Sequence, residues 1–403
     1  MDLHQFDDLR PYNNQEVPEA VERMLLQPLT YQMLQYVYPG VDQSDAQEML
    51  KAIKNTEDFQ VEISAPAFKM VAQMTTNGLT FSNMESIEKG KPYLFLSNHR
   101  DIILDSALLN VSLLEKGFET TQIAIGDNLL KNPIIEDIVR LNKSFIVHRN
   151  AAPKEGLLLS KRLSNYIRQT ITKEQCSIWI AHKEGRSKDG NDRTASGLLK
   201  MLCTSTGGSI AEGMQELNIV PTAVSYEYDP CDLFKANELL MIEEFGEYTK
   251  EDGEDYRSAM KGITGHKGRV NIALGKVLNE DLKALEKVDN KNDQIRLLSN
   301  EIDRQIHSIY RLWPTNYIAY DLLNGNNEFT GEYNRIQRIA FSNYLRGRVL
   351  KLAVSRRKIL KGEAFRKQAR QVLLTMYANP VKNWIESKNG VGLADAVEEL
   401  LAK

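Results

Sequence analysis

The sequence predicts an α/β layer fold between two helical regions. Short apolar runs alternate with amphipathic segments over residues 89–285, a pattern typical of strands that are joined by helices. Residues 1–88 and 286–403 lack this alternation, and their apolar residues recur at helical spacing. We therefore expect a helical N-terminal domain over 1–88, an α/β domain over 89–285 and a helical C-terminal region over 286–403.

The apolar runs of the central domain predict six strands. These runs are Tyr93–Leu96, Gln122–Ile125, Phe145–Val147, Ser177–Ala181, Ile219–Val224 and Val270–Leu274. Helical patterns lie between them, at Asp101–Leu114, Pro133–Leu141 and Gly156–Ile171. Pro221, at the centre of the fifth run, cannot donate a ladder hydrogen bond, so this run is expected to be an edge strand or to carry a bulge.

The composition indicates a folded globular protein. The 403 residues carry a net charge of −3, with 42% hydrophobic and 26% charged residues, which is unlike a disordered or fibrous chain. The acidic N-terminus has no signal-peptide core, and no run approaches the ~20 apolar residues of a spanning helix. The three cysteines form no CxxC pair, so neither a disulfide framework nor a metal site is expected. A cytoplasmic protein, or one on the cytoplasmic face of a membrane, is predicted.

Charge is unevenly distributed along the chain. Residues 1–60 are acid-rich, whereas residues 335–370 are basic with Glu363 as the lone acid. Such a block is either a solvated helical face or a docking surface for an anionic membrane or an acidic protein. The basic run includes Arg356, Arg357 and Lys358, and apolar residues interleave with it: Ile336, Ile339, Leu345, Val349, Leu352, Ile359 and Leu360. These apolar residues either lie on lipid or pack the helices onto the central domain.

His99 follows a strand at a point where an α/β fold places its chemistry. A neutral histidine can act as a general base, because its pKa lets it take a proton near neutral pH. A carboxylate on the other ring nitrogen would fix the tautomer, and Asp105, about one helical turn further on, is the candidate. Alternatively, His99 is a polar loop residue and Asp101 caps the helix.

Two further strand ends carry cations. Arg149 follows the Phe145–Val147 run, and it could bind a phosphate through two hydrogen bonds or form a salt bridge. The Ser177–Ala181 run leads into a polar turn with four cations, which are Lys183, Arg186, Lys188 and Arg193. Because like charges repel, such a cluster needs an anion nearby or full solvation.

Four blocks, taken in order, resemble the glycerol-phosphate acyltransferase superfamily, which includes glycerol-3-phosphate and lysophosphatidic acid acyltransferases. The blocks are Asn98-His99 with Asp105, Phe145 to Arg149, Glu184-Gly185-Arg186-Ser187, and Ile219 to Pro221. The Ile178–Ala181 approach and the helical N-terminal region look most like the soluble plastid glycerol-3-phosphate enzymes. The resemblance covers about residues 90–230 and implies a mixed-sheet acyltransferase domain.

The resemblance implies a catalytic pair and a phosphate site. His99 would be the general base and Asp105 its orienting partner. Arg149 and Arg186 would bind the phosphate of the acceptor. The donor would be acyl-CoA or acyl-acyl carrier protein, and no further cofactor is expected.

The resemblance also implies residues that line the substrates. Glu184 and Gly185 would shape the acceptor site, with Lys183 and Ser187 beside them in the same substrate-binding turn. Pro221 would line the acyl pocket.

Two departures from the family pattern bear on the site. Five residues separate His99 from Asp105 where the family usually has four, and one added residue rotates a helical side chain by ~100°. Either the turn between the strand and the helix accommodates the added residue, or Asp101 is the partner of His99, or the site is impaired. The third block also lacks the threonine that many members have between Gly185 and Arg186.

The sequence thus favours an acyltransferase of phospholipid biosynthesis. It would move a fatty acyl group to the hydroxyl of glycerol-3-phosphate or 1-acylglycerol-3-phosphate, and the added N-terminal region favours the former. The alternatives are an O-acyltransferase of an amino-acid-containing lipid, a thioester hydrolase, and an impaired lipid- or carrier-binding protein on the same fold. The expected partners are the acceptor, the thioester donor and an anionic membrane surface, with no nucleic acid.

Overall fold

A seven-stranded sheet forms the centre of the structure, a computed structural model that describes residues 6–130, 132–149, 153–355 and 362–402. The strands are β1 (Thr76–Ser82), β2 (Leu94–Ser97), β3 (Gln122–Gly126), β4 (Ser144–Val147), β5 (Ile178–Ala181), β6 (Ile219–Tyr226) and β7 (Gly268–Leu274). They lie in the order β1-β7-β6-β2-β5-β3-β4, and neighbours are parallel except β6 and β7. The sheet is therefore mixed.

Helices surround the sheet in three groups along the chain. The first group is α1 (Val17–Leu25), α2 (Pro28–Val37), α3 (Gln43–Lys51), α4 (Thr56–Asp58) and α5 (Ala65–Thr75). The second is α6 (Leu104–Glu115), α7 (Pro133–Leu141), α8 (Pro153–Thr172), α9 (Ser196–Cys203), α10 (Ile210–Gln215), α11 (Asp232–Phe245) and α12 (Glu254–Thr264). The third is α13 (Lys291–Ile309), α14 (Pro314–Asn324), α15 (Arg335–Ser355), α16 (Glu363–Asn389) and α17 (Leu393–Leu401). The predicted α/β class with helical flanks is confirmed, while the domain boundaries stay a prediction.

All six predicted strands are present, each with ends within one or two residues of the expected ones. Their apolar character follows from burial on both faces of the sheet. In β2, Leu94 and Leu96 pack among residues of α8 and α13, whereas Phe95 packs among residues of α6. A strand that is covered by helices on both faces is a continuous apolar run, and this is why these strands were visible in the sequence.

The edge strand β1 was not predicted, and it lies inside the region that was expected to be helical. Its sequence is polar, it is partly exposed, and it pairs in parallel with β7 with an irregular register between Thr76 and Leu79. Gly78 lies within that irregularity at a positive φ. A short polar edge strand has no apolar period, so β1 could not be recognised from its residues.

The expectation of an edge strand or bulge at Pro221 is wrong. Its strand, β6, is interior and pairs with both β2 and β7. The proline is tolerated because the β6/β7 register begins at the next residue, Thr222, opposite Leu274. The Pro221 carbonyl still accepts a hydrogen bond of 2.7 Å from the Gly275 N–H, so the missing donor costs one bond at the end of the ladder.

The basic C-terminal helix α15 has two different apolar faces. Leu345, Val349 and Leu352 are buried in a cluster with residues of α11, α14 and α16, so these three pack the helix onto the protein. Ile336 and Ile339 are exposed. The remaining residues named for this run, Arg356, Arg357, Lys358, Ile359 and Leu360, lie outside the described residues.

A glycine in the turn after β5 allows this turn to pack closely against α16. Gly190 has a φ of +78°, and a Cβ at this position would lie 2.2 Å from the Met376 carbonyl oxygen. Gly185, in the same turn, has a φ of +71° but no atom within 4 Å of its Cβ position. The two glycines share the backbone conformation and differ in the close contact.

We expect Gly190→Ala to destabilise the protein more than Gly185→Ala. The left-handed backbone alone costs about 1–2 kcal/mol at either position, and the clash with α16 should add about 1–3 kcal/mol at Gly190. Denaturant unfolding of both variants measures the difference in the free energy of unfolding. Equal losses would mean that the Gly190–Met376 contact contributes nothing.

Candidate active site

Asn98 fixes the point at which the chain leaves β2. Its side chain is fully buried, and its Oδ1 accepts a hydrogen bond of 2.7 Å from the Val224 N–H. Its Nδ2 donates to the Val224 carbonyl at 3.1 Å. This pair of bonds ties the residue before His99 to the neighbouring strand β6, so the histidine starts from a rigid position.

His99 and Asp105 meet as a pair. The His99 Nδ1 and Asp105 Oδ2 atoms are 2.8 Å apart, and the Asp105 side chain is fully buried. The same oxygen accepts the N–H groups of Arg100, at 2.6 Å, and Asp101, at 2.9 Å. Since a carboxylate only accepts, the histidine donates from Nδ1, and its Nε2 is left as the basic nitrogen.

The extra residue between His99 and Asp105 is absorbed by the turn. The sequence predicts that this helix begins at Asp101, but in the structure α6 begins at Leu104. Asp105 therefore sits in the first helical turn, and the added residue lies before the helix. No 100° rotation of the carboxylate results, because the helical repeat applies only inside the helix.

Asp101 caps α6 and is not the partner of His99. Its Oδ1 accepts the N–H groups of Ile103, at 3.0 Å, and Leu104, at 2.9 Å. Burial, together with the neighbouring charge of Asp105, raises the pKa of Asp101 above its usual value. Of the two carboxylates left open by the sequence, the structure pairs Asp105 with the histidine.

Tyr226 is a site residue that the sequence analysis missed. Its hydroxyl donates to the Asp105 Oδ1 at 2.8 Å. Burial and the charge of Asp105 raise the pKa of Tyr226 well above its usual value, so the hydroxyl stays protonated and can donate. The available signal was a tyrosine at the end of the largely apolar strand β6.

The His99 ring lies at the edge of the protein interior. It packs edge-on against Trp179, with centroids 5.5 Å apart, and its side chain is 15% exposed. The His99 carbonyl accepts the Ser187 N–H at 2.8 Å, which attaches the glycine-containing turn to the His99–Asp105 pair. Among the described residues, no hydrogen bond reaches Nε2, so this nitrogen is available to a ligand.

Buried charges form a layer behind the dyad. Arg100 pairs with Asp192 at 2.6 Å, and both are buried. Burial works to raise the pKa of Asp192, but the Arg100 charge holds it below the usual value.

The second buried histidine of this region, His182, is a neutral core residue, because burial lowers its pKa to about 4. A cavity of about 20 Å³ beside Arg100 and Tyr226 has room for about one water molecule.

The four cations of the turn after β5 are held in different ways. Lys188 pairs with Glu238 of α11, and Arg193 pairs with Glu386 of α16. Arg186 instead donates to the Ser258 hydroxyl of α12 at 2.9 Å, with no ion pair among the described residues. Lys183, Glu184 and Gly185 are exposed. The predicted crowding is relieved by carboxylates for Lys188 and Arg193, whereas Arg186 and Lys183 form no ion pair among the described residues.

Arg149 reaches the same turn from the end of β4. Its guanidinium is 3.3 Å from the Glu184 carboxylate. It also crosses over Gly126, where a Cβ would lie 2.6 Å from the Arg149 Nε. The structure therefore brings the second predicted block against the third, and the third against His99.

Pro221 lies apart from these residues. Its neighbours along β6, Ile219 and Ala223, pack in the cluster on one face of the sheet, whereas Trp179, which contacts the His99 ring, packs in the cluster on the other. Since alternate residues of a strand share a face, Pro221 lies on the face opposite Trp179. Its role beside an acyl chain stays a prediction.

The segment that holds these blocks has the sequence features of an acyltransferase domain. Residues 78–225 match the family model described as Acyltransferase. This confirms the resemblance to the glycerol-phosphate acyltransferase superfamily.

One solved structure with similarity to the chain is the 1-acyl-sn-glycerophosphate (LPA) acyltransferase PlsC from Thermotoga maritima. Its sequence identity is 12%, the TM-score is 0.37, and the alignment covers 73% of this chain and 95% of that one. No curated protein matches the sequence.

The described part of the chain has neither a helix long and apolar enough to cross a membrane nor a group of three or more metal-ligating side chains that could hold an ion.

Exchanging each carboxylate for an amide should separate the roles of Asp105 and Asp101. Asp105→Asn should strongly lower the turnover of an acyl-transfer assay, because an amide no longer selects the tautomer that keeps Nε2 basic. Asp101→Asn should mainly lower the free energy of unfolding, by about 1 kcal/mol or less, because asparagine also caps helices. Steady-state kinetics and thermal melts of both variants make the comparison. A larger loss of turnover for Asp101→Asn would overturn the assignment.

Proposed function

We propose that this protein transfers a fatty acyl group from a thioester to the hydroxyl of a phosphate-bearing glycerol acceptor. The observation that carries the proposal is the His99–Asp105 pair, with Nδ1 and Oδ2 2.8 Å apart. In the adjoining turn, Arg186 and Lys183 form no ion pair among the described residues. The match of residues 78–225 to the Acyltransferase family supports the same reaction class.

In the proposed reaction, His99 first acts as a base and then as an acid. Its Nε2 takes the proton of the acceptor hydroxyl while the hydroxyl oxygen bonds to the thioester carbonyl carbon, and the carbonyl electrons move to its oxygen. When the tetrahedral intermediate collapses, the C–S bond breaks, and the leaving thiolate is protonated by the His99 imidazolium. Asp105 stabilises the imidazolium between the two steps and remains ionised.

Phosphate recognition is assigned first to Arg186. Its guanidinium donates to a neutral hydroxyl, that of Ser258, and forms no ion pair among the described residues, although its charge acts on the nearby carboxylates of Asp101 and Asp255. Lys183 lies in the same turn and is exposed. Arg149 would contribute after its contact with Glu184 loosens, since that carboxylate is 74% exposed and the contact is weak. Ser187, Glu184 and the open Gly185 would border the acceptor.

The acceptor that we favour is glycerol-3-phosphate, with its 1-acyl derivative as the second candidate. The donor is acyl-CoA or an acyl carrier protein thioester, and Pro221 is proposed to lie along its acyl chain. Because the product is a lipid, we place the reaction at the cytoplasmic face of an anionic membrane.

The impaired, non-catalytic alternative depended on the irregular His99–Asp105 spacing. The 2.8 Å contact, made possible by the late start of α6, removes that support. The hydrolase alternative does not account for the cationic turn. A hydrolase would be recognised by release of the acyl group to water.

The test is an acyltransferase assay with the native protein and His99→Ala. Acyl-CoA and acyl carrier protein are each offered with glycerol-3-phosphate, lysophosphatidate, glycerol and a hydroxylated amino-acid lipid, and with water alone. We expect transfer to a phosphorylated acceptor, lowered by about 10²–10⁴-fold in His99→Ala, the usual contribution of a positioned base. Transfer only to the unphosphorylated lipid, or hydrolysis that outpaces transfer, would contradict the proposal. So would a His99→Ala variant with native turnover and an unchanged fold.

Arg186→Ala should raise the KM for the phosphorylated acceptor more than the KM for the acyl donor. Loss of a charged hydrogen bond costs roughly 1.5–3 kcal/mol, which is about one to two decades in affinity. The matched control is Arg193→Ala, because this arginine lies in the same turn but pairs with Glu386. Equal effects of Arg186→Ala on the two KM values, or an equal acceptor effect in the control, would mean that Arg186 does not recognise phosphate.

A further inference from the structure

Helix α15 carries an apolar stripe on its exposed side. The stripe consists of Ile336, Ile339, Leu350 and Val354, which are 78%, 51%, 47% and 57% exposed. Asn343 and Gly347 lie between them, so the positions repeat every three or four residues and share one face of the helix. At 1.5 Å per residue the stripe is about 27 Å long.

The stripe is not needed to pack the helix. The opposite side of α15 supplies Phe341, Leu345, Val349 and Leu352 to a buried cluster with α11, α14 and α16. On the exposed side, a Cβ added at Gly347 would meet no atom within 4 Å. Apolar residues with regular spacing on an exposed helix face indicate a surface that contacts another molecule or a membrane.

Charge around the stripe identifies what it meets. Arg335 and Arg346 lie along one edge of the stripe, Lys351 lies along the other, and all three are exposed. The helix Arg335–Ser355 contains no acidic residue. Exposed aliphatic side chains with cations on both sides match a helix that lies in the plane of a bilayer, with its apolar side in the acyl region and its cations at the headgroups.

We propose that the exposed stripe of α15 is the surface by which the protein lies on an anionic membrane. The inference refines the membrane location proposed above and so rests on the proposed function. The docking residues are Ile336, Ile339, Leu350 and Val354. Ile336 and Ile339 were already named for this role from the sequence, and Leu350 and Val354 are added by the structure. Leu345, Val349 and Leu352, which the sequence had also offered, are buried. Aliphatic side chains that are exposed over about 27 Å along one helix fit the extended acyl region of a bilayer, and the flanking cations fit its anionic headgroups.

The test is flotation of the full-length protein with vesicles of phosphatidylglycerol and phosphatidylcholine, and with phosphatidylcholine alone. The native protein should bind the anionic vesicles, and raising the salt concentration should weaken the binding. Ile339→Asp/Leu350→Asp should weaken it at least tenfold. The matched control is Leu26→Asp, which changes another exposed leucine, 81% exposed, at the end of α1. It should bind as the native protein does. Thermal melts check that all variants are folded.

Several results would overturn the inference. These are no binding of the native protein to anionic vesicles, equal binding of the double variant, or an equal loss in the Leu26→Asp control. A concentration-dependent dimer that the double variant abolishes would instead assign the stripe to a contact between copies of this chain. Salt-sensitive binding of acyl carrier protein that the double variant abolishes, without vesicle binding, would assign it to that partner.

A vesicle-free assay separates this inference from the proposed function. With water-soluble glycerol-3-phosphate and a short-chain acyl-CoA, the double variant should keep native turnover. If the native protein itself transfers no acyl group but still binds vesicles through the stripe, the proposed reaction fails and the docking surface stands. If it transfers acyl groups and ignores vesicles, the reverse holds.

Discussion

The candidate site depends on how one buried carboxylate is satisfied. Asp105 has no solvent exposure, and it receives hydrogen bonds from the His99 ring, two backbone N–H groups and the Tyr226 hydroxyl. A buried carboxylate is tolerated only when such bonds replace its lost hydration. The turn after β2, the first turn of α6 and the end of β6 must therefore hold their positions together. The orientation of His99 follows from that constraint.

Much of this arrangement could be predicted from the sequence. The five interior strands and the edge strand β4 are apolar runs, so six of the seven strands could be found in the sequence. The side chains His99, Arg149 and Lys183 of the first three clusters each lie just after a strand end. The polar edge strand β1 could not be seen in this way. Nor could the start of α6, because two aspartates, Asp101 and Asp105, both suit the first turn of a helix and only the folded turn decides which one caps it.

Contacts between distant parts of the chain account for the other differences. Tyr226 reaches Asp105 across 121 positions of sequence, and Glu386 and Glu238 neutralise cations of the turn after β5 from helices far along the chain. A local pattern shows that a turn is cationic but not which charges are already paired. The structure shows that Lys188 and Arg193 are paired with carboxylates, whereas Arg186 donates to a hydroxyl, and this difference distinguishes Arg186 from the other two.

The exposure of the α15 stripe is enforced from inside the protein. Asp232, fully buried at the start of α11, accepts from the Tyr344 hydroxyl at 2.5 Å and from the Arg348 guanidinium at 3.1 Å, both on α15. Burial raises the pKa of Asp232 to about 6 even against the Arg348 charge, which indicates how costly the carboxylate is without its partners. Removing one partner of a buried pair typically costs about 3–5 kcal/mol. Rotation of α15 that hid its aliphatic side chains would break both contacts, so the helix is held with its apolar stripe facing outward.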